Sequence, residues 1–193
     1  MANYRSLSKI PSLVKRAYNL AGQINIECVC SQETGRLLQL LSSQLQSGVI
    51  GEVGTGSGVA AAWIVSALSP GTSFFTVEEN PVAAAAAAAL FENMLNVRVI
   101  QGQWRDFLSS WRFGLLYANS LSFRDRDPEF FVQSLRIGGM IVLDGLTPIH
   151  RLPLDLRDEP DPVREFWLND ARLLATEILV TPSEAVILAT RSD

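Results

Sequence analysis

Two cysteines and a single histidine in 193 residues leave little from which to build a transition-metal centre. Cys28 and Cys30 stand one residue apart, too close in sequence to bridge each other easily, and His150 is the sole imidazole, so a zinc site lacks ligands. Reduced thiols, and with them a cytoplasmic setting, are the expectation. No stretch approaches the run of about 18 apolar residues that reads as a membrane span. The N-terminal MANYRSLSKIPSLVKRAYNL mixes charges into its apolar positions and so lacks the core of a secretory signal. A basic excess is missing too: 16 Lys and Arg against 20 Asp and Glu give a net charge of -4, which argues against a general binder of phosphate backbones. The expected partner is a small molecule, with no nucleic acid and no membrane.

What is present reads as one folded unit, since 48% of the residues are hydrophobic and a chain of this length buries one sizeable core. Short apolar runs alternate with helical stretches, the pattern of a parallel sheet with crossover helices. The runs are Val49–Val53, Thr72–Val77, Val97–Gln101, Phe113–Ala118 and Met140–Leu143, and they predict a doubly wound α/β fold. Leu13–Leu20 and Gln32–Leu45 have helical spacing. The stretch LTPIHRLPLDLRDEPDP reads as a loop and VREFWLNDAR as a helix. Leu173–Val180 and Ala185–Thr190, separated by TPSE, predict a closing antiparallel hairpin. The alanine tract Ala83–Ala89 is a helix in the making, with Asn80 to cap it and Pro81 in its first turn.

The densest signal is GEVGTGSGVAAAW, Gly51–Trp63. Gly54, Gly56 and Gly58 follow a strand and precede a helix, so the loop accepts positive φ and lets a ligand approach the main chain. The helix start that follows favours an anionic group such as a phosphate or carboxylate. A dinucleotide fingerprint GxGxxG begun at Gly54 fails at Val59. Glu52, at the strand end, would repel a phosphate-bearing carrier, whereas S-adenosylmethionine brings a sulfonium and an ammonium. Glu78, ending the second strand in FFTVEENP, is placed to accept hydrogen bonds from both ribose hydroxyls. Dinucleotide folds put an acid there as well, so Glu78 marks an adenosine site without naming the carrier.

From about Ser31 onward the chain is similar to the class I S-adenosylmethionine-dependent methyltransferases, and most closely resembles the small O-methyltransferases that include the catechol and caffeoyl-CoA enzymes. Six stretches in family order carry the resemblance: SQETGRLLQLL, IGEVGTGSGVAAAWI, FTVEENP, VRVIQGQWRDFL, FGLLYANS and LRIGGMIVLDG. It implies a Rossmann-like methyltransferase fold, a mostly parallel sheet of seven strands with the last antiparallel, and a homodimer. Residues 1–193 would form a single methyltransferase domain, 1–46 an N-terminal helical segment and 47–193 the cofactor-binding core. Glu52, Gly54, Thr55, Gly56 and Gly58 would surround the methionine part of the cofactor and Glu78 would hold its ribose. Gly102, Gln103 and Trp104 would border the adenine, with Asp106 capping the following helix.

The metal-dependent relatives bind a divalent cation through an Asp after the fourth strand and an Asp-Asn pair after the fifth. Here Asn119 and Asp144-Gly145 occupy those places, and hard cations prefer carboxylate oxygens. No obligatory metal is therefore expected, the alternative being calcium or magnesium held by Asp144 and Asn119 together with oxygens of the substrate; Asp144 and Asn119 become the catalytic candidates, with Asp144 as proton acceptor. As a carboxylate in a turn, Asp144 reads equally as a cap. His150, Arg124, Arg126, Lys9, Lys15 and Arg16 read as surface charges. The function expected is O-methylation of a small-molecule hydroxyl. The alternatives are a non-catalytic S-adenosylmethionine-binding module and, weakened by Val59, an NAD-dependent oxidoreductase.

Overall fold

Three of the helices open on the same two-residue device, an Asx followed by proline. Asn80-Pro81, Asp127-Pro128 and Asp161-Pro162 each place a side-chain oxygen on free backbone amides of the first turn, and proline at the first helical position has no amide to lose. Each cap contributes about 1 kcal/mol. These devices belong to a computed structural model that describes residues 10–24, 30–124 and 126–193. Cys28 and Lys9 lie outside those residues.

In chain order the elements are α1 (Ser12–Ile24), α2 (Gln32–Gln44), β1 (Ser47–Val53), α3 (Val59–Val65), β2 (Gly71–Glu78), α4 (Pro81–Phe91), β3 (Val97–Gln101), α5 (Trp104–Ser110), β4 (Phe113–Asn119), α6 (Ser120–Phe123), α7 (Pro128–Ser134), β5 (Leu135–Leu146), α8 (Pro162–Asn169), β6 (Leu173–Thr181) and β7 (Glu184–Arg191). The strands form one seven-stranded sheet in the order β3-β2-β1-β4-β5-β7-β6. β1 to β5 pair in parallel, while β7 runs antiparallel to both β5 and β6. This is the doubly wound sheet with a closing hairpin that the sequence predicts.

Side-chain alternation assigns the two faces. Ile50, Leu115, Tyr117, Val142 and Val186 join the core with α1 to α4, whereas Val53, Leu116, Ala118, Ile141, Leu143 and Ile187 join the other core with α5, α7 and α8. A period of two places alternate residues on opposite faces. Trp63, Phe74, Phe113 and Phe131 are fully buried, each stabilising the fold by roughly 1.5–3 kcal/mol. Arg164 ties the end of the second layer together: its guanidinium reaches Glu177 on β6, Asp161 before α8 and the Thr147 carbonyl just after β5.

Four details differ from the sequence reading. β5 begins at Leu135, five residues before Met140, because Gly138 takes a φ of +74° and the register against β4 shifts between Phe113 and Leu115. Asp106 does not cap α5; Gln103 holds the cap position without a side-chain bond, and Asp106 sits inside the first turn, where a negative charge still suits the helix dipole. α8 stops at Asn169, with Asp170 extended. The proline-rich stretch contains two short 3-10 turns, Ile149–Arg151 and Leu154–Leu156.

Candidate active site

The strand order reverses between β1 and β4, so the connections leaving their carboxyl ends diverge to opposite faces and leave a crevice, the usual ligand position in open α/β sheets. The glycine loop fills one side of it. Gly54 and Thr55 donate their amides to the Val77 carbonyl at 2.9 and 3.3 Å, which folds the loop back against β2. Gly54, Gly56 and Gly58 have φ of +86°, +52° and +78°, conformations that side chains rarely adopt. A Cβ at Gly54 would also overlap the Ser122 hydroxyl on α6.

Glu78 staples this loop in place. One carboxylate oxygen accepts the Gly56 amide and the other the Asn80 amide, both at 2.8 Å. Each oxygen keeps a further lone pair for a ligand. The Gly102 amide reaches the Glu78 carbonyl at 3.0 Å, so the Gly102–Trp104 turn lies beside the same acid. Trp104 is 9% exposed. Its indole stacks on Phe131 at 5.7 Å, meets Phe130 edge-on at 5.6 Å, and takes the guanidiniums of Arg105 and Arg126 at 5.1 and 4.9 Å.

At the floor of the crevice Glu52, Gly54, Thr55, Gly56 and Asn119, with Cys30, Ser57 and Tyr117, line a cavity of about 30 Å³, the scale of one water or ammonium group. Glu52 is fully buried. Its Oε2 accepts the Thr76 hydroxyl at 2.6 Å, Thr76 is hydrogen-bonded to the Thr55 hydroxyl, and Oε1 has no protein partner. Burial raises the Glu52 carboxyl from 4.5 to about 8, against the lowering pull of the Thr76 hydroxyl and of the Ala61 backbone amide, and the nearby Glu78 charge adds to the rise. An unpartnered oxygen of this kind is costly unless a donor or cation meets it.

Asp144 lies next to Asn119 in the β4–β5 register but does not line that cavity. Its Oδ1 accepts the Gly145 amide at 2.7 Å and the Thr34 hydroxyl at 3.3 Å, and its Oδ2 accepts the Tyr117 hydroxyl at 2.9 Å. Burial lifts its carboxyl from 3.8 to about 6, while those donors pull the other way. Tyr117 is itself buried, and the loss of water, then the neighbouring Cys30 and Asp144, hold its phenol well above 10. Replacing Tyr117 by phenylalanine strips a donor from a buried acid. We expect a loss of about 1–3 kcal/mol, read as a lower denaturant midpoint with an unchanged slope, and a further rise of the Asp144 carboxyl.

These residues do not fit a divalent cation. The Asp144 oxygens are turned to hydroxyls and an amide, the Asn119 oxygen accepts the Ser122 hydroxyl at 3.2 Å, and Gly145 offers no side chain. Magnesium or calcium requires about six or more oxygen ligands, mainly carboxylates, carbonyls and water. Among the described residues no group of three or more His, Cys, Asp or Glu side chains is arranged to hold a metal.

Tyr117, Thr34 and Thr76 are absent from the sequence-derived site. Thr76 becomes visible only once the β1–β2 register sets it opposite Glu52; Tyr117 has a signal in sequence, lying two residues before Asn119 on the strand. His150 lies on the surface in a 3-10 turn, its carbonyl accepting Arg157. Arg124 is exposed, and Arg126 pairs with Glu79 at 3.7 Å.

Strand order, the reversed last strand and the glycine loop at the switch point together define a Rossmann-like methyltransferase fold. The fold matches that of the O-methyltransferase from Bacillus cereus in complex with SAH, with a TM-score of 0.78 at 21% identity over 97% of this chain and 94% of that one. No family model matches the chain. It is 30% identical over 164 residues to a Mycolicibacterium paratuberculosis protein named "Putative O-methyltransferase", covering 77% of this chain and 70% of the relative. A Mycobacterium ulcerans protein of the same name is 27% identical over 187 residues, 89% of this chain and 79% of the relative. The chain belongs to this O-methyltransferase family.

Proposed function

We propose that the chain is an S-adenosylmethionine-dependent O-methyltransferase, one domain acting on a small-molecule hydroxyl without an obligatory metal. The observation that carries this reading is the buried Glu52 oxygen without a partner in the glycine-loop cavity, an acceptor suited to the ammonium of the methionine part. Gly54, Thr55, Gly56 and Gly58 surround the methionine part, and the missing side chains of the glycines let it approach the main chain. Glu78 holds the ribose hydroxyls, and Gly102, Gln103 and Trp104 border the adenine.

When bound, S-adenosylmethionine supplies a methyl already activated by its sulfonium. The chain then has to align donor and acceptor, exclude water and take the acceptor's proton. Asn119 closes the acceptor side of the cavity. Asp144, with its carboxyl at about 6, is ionised at neutral pH, and its Oδ2 draws the proton through the Tyr117 hydroxyl.

No helix among the described residues is long and apolar enough to cross a membrane. A cytoplasmic homodimer without nucleic-acid partners belongs to the same reading, supported by the net charge of -4 and by Leu174 and Leu179, 71% and 57% exposed on the edge strand β6. Sedimentation tests the oligomeric state.

Calorimetry with S-adenosylmethionine, its demethylated product and NAD is the deciding measurement. Glu78→Ala should weaken the first two by about tenfold to a hundredfold, the worth of one or two lost hydrogen bonds to a charged group. Asp144→Asn should lower turnover of a labelled methyl onto phenols or catechols while leaving donor affinity in place, with or without chelator. Tight binding of NAD alone would overturn the reading.

A further inference from the structure

A second cavity, of about 250 Å³, opens between α7, α8 and the C-terminal end of α6. None of the residues that line it lines the glycine-loop cavity. Its walls carry the rings of Phe123, Phe131, Phe166 and Trp167, and the two prolines that open α7 and α8 form part of the rim. Among the described lining residues the charged side chains are Arg124 and Arg126. Volume, wall and charge each limit the occupant. The size falls just under the usual range for small-molecule sites, about 300–1,000 Å³, which suits one or two rings and leaves no room for a nucleotide. Four aromatic walls favour a flat ring through offset and edge contacts. Two guanidiniums favour a planar anion, which an arginine fork grips through paired hydrogen bonds.

Arg126 supplies the strongest part of the charge argument. It is partly withdrawn from water, and its ionic partner, Glu79, stands at 3.7 Å with 42% of its side chain exposed, a long and solvent-screened pairing. Such a guanidinium remains able to take a closer anion. It also lies over the Trp104 ring at 4.9 Å, a contact that restrains it beside the pocket it lines.

We propose that this pocket binds a flat aromatic carboxylate of one or two rings, at a site separate from the glycine-loop cavity. The proposal does not depend on the methyl-donor reading, because none of the pocket's lining residues is assigned to the donor; Trp104, which borders the adenine in that reading, packs on Arg126 and Phe131 from outside the lining.

The test is calorimetric titration of the full chain with 2-naphthoate and with 2-naphthylmethanol, a neutral probe of nearly the same shape. Expected are saturable one-to-one binding of naphthoate and affinity at least about tenfold weaker for the alcohol, the size of a hydrogen bond to a charged group. Arg124→Gln and Arg126→Gln together should cost naphthoate a similar factor. Phe166→Ala should weaken both probes alike, since it removes wall and leaves charge. Saturation with the demethylated donor should leave naphthoate bound. Equal affinity for the two probes overturns the proposal, as does displacement of naphthoate by the demethylated donor. Absence of saturable binding also overturns it, including the case in which sedimentation shows a second copy of the chain covering the pocket.

Discussion

Between pH 6 and pH 8 the ligand-free chain should lose thermal stability as pH rises, and Glu52→Gln should remove that slope. The folded Glu52 carboxyl sits at about 8 and its ordinary value is 4.5, so across this window the folded state holds a proton that the unfolded chain has released. Stability conferred by a raised acid is complete below the unfolded value and disappears as pH climbs through the folded one. Asp144, raised from 3.8 to about 6, contributes the same sign in a lower window, roughly pH 4 to 6. Glu52 acts from about 4.5 to 8, so the two windows overlap below pH 6: Asp144→Asn should lessen the acidic slope without abolishing it, and Glu52→Gln should remove the neutral one. One proton sets a ceiling of about 1.4 kcal/mol per pH unit, well within the reach of scanning calorimetry. A Glu52→Gln variant that kept the wild-type slope above pH 6 would show that the carboxyl is ionised in the folded protein.

Gly35→Ala should destabilise the protein although Gly35 sits within a helix, four residues after the Ser31 cap of α2. Helix propensity alone predicts a gain of about 1 kcal/mol for replacing an interior glycine by alanine. Here the added carbon would overlap the indole of Trp63 on α3, and Trp63 is 1% exposed with nowhere to move. Overpacking costs about 1–3 kcal/mol, so the clash outweighs the propensity and the net loss reaches about 2 kcal/mol. For a chain of this size each kcal/mol lowers the melting temperature by about 2–4 °C. The displacement also carries functional weight, because the adjacent Thr34 donates to Asp144 and moves with the helix. Lower turnover at unchanged donor affinity is the expected kinetic mark. Trp63→Leu in the same chain should recover part of the stability, and a double-mutant cycle would measure the coupling. If Gly35→Ala raised the melting temperature, the close packing of α2 on α3 would be disproved.

Local chemistry explains which parts of this structure were legible in sequence. The Asn80-Pro81 opening, the glycine loop and the TPSE hairpin are written in consecutive residues, and each stands where the sequence places it. The early start of β5 was hidden because its first residues, Arg-Ile-Gly-Gly, combine the two glycines that normally end a strand, and only the bulge against Phe113 explains their inclusion. Asp106 was misread as a cap because an acid in a first turn and an acid at the cap position look alike without backbone angles. The site shows the same division. Glu52 announces itself by being a charge inside an apolar strand, but its dependence on Thr76 follows from a pairing between strands 24 residues apart. Asp144 was legible as a residue at the crevice; its enclosure by Tyr117 and Thr34 required α2, 110 residues earlier in the chain, to be laid across the sheet. The aromatic pocket joins α6, α7 and α8, and no spacing rule connects those segments.

The protonated acid beneath the glycine loop also affects how association would be measured. A cationic guest held by Glu52 requires that side chain to give up its hydrogen, so at pH 7 complex formation releases up to one proton to the buffer. Titrations in phosphate and in Tris would then give different apparent enthalpies at the same affinity, and the difference divided by the difference in buffer ionisation heat would count the protons released.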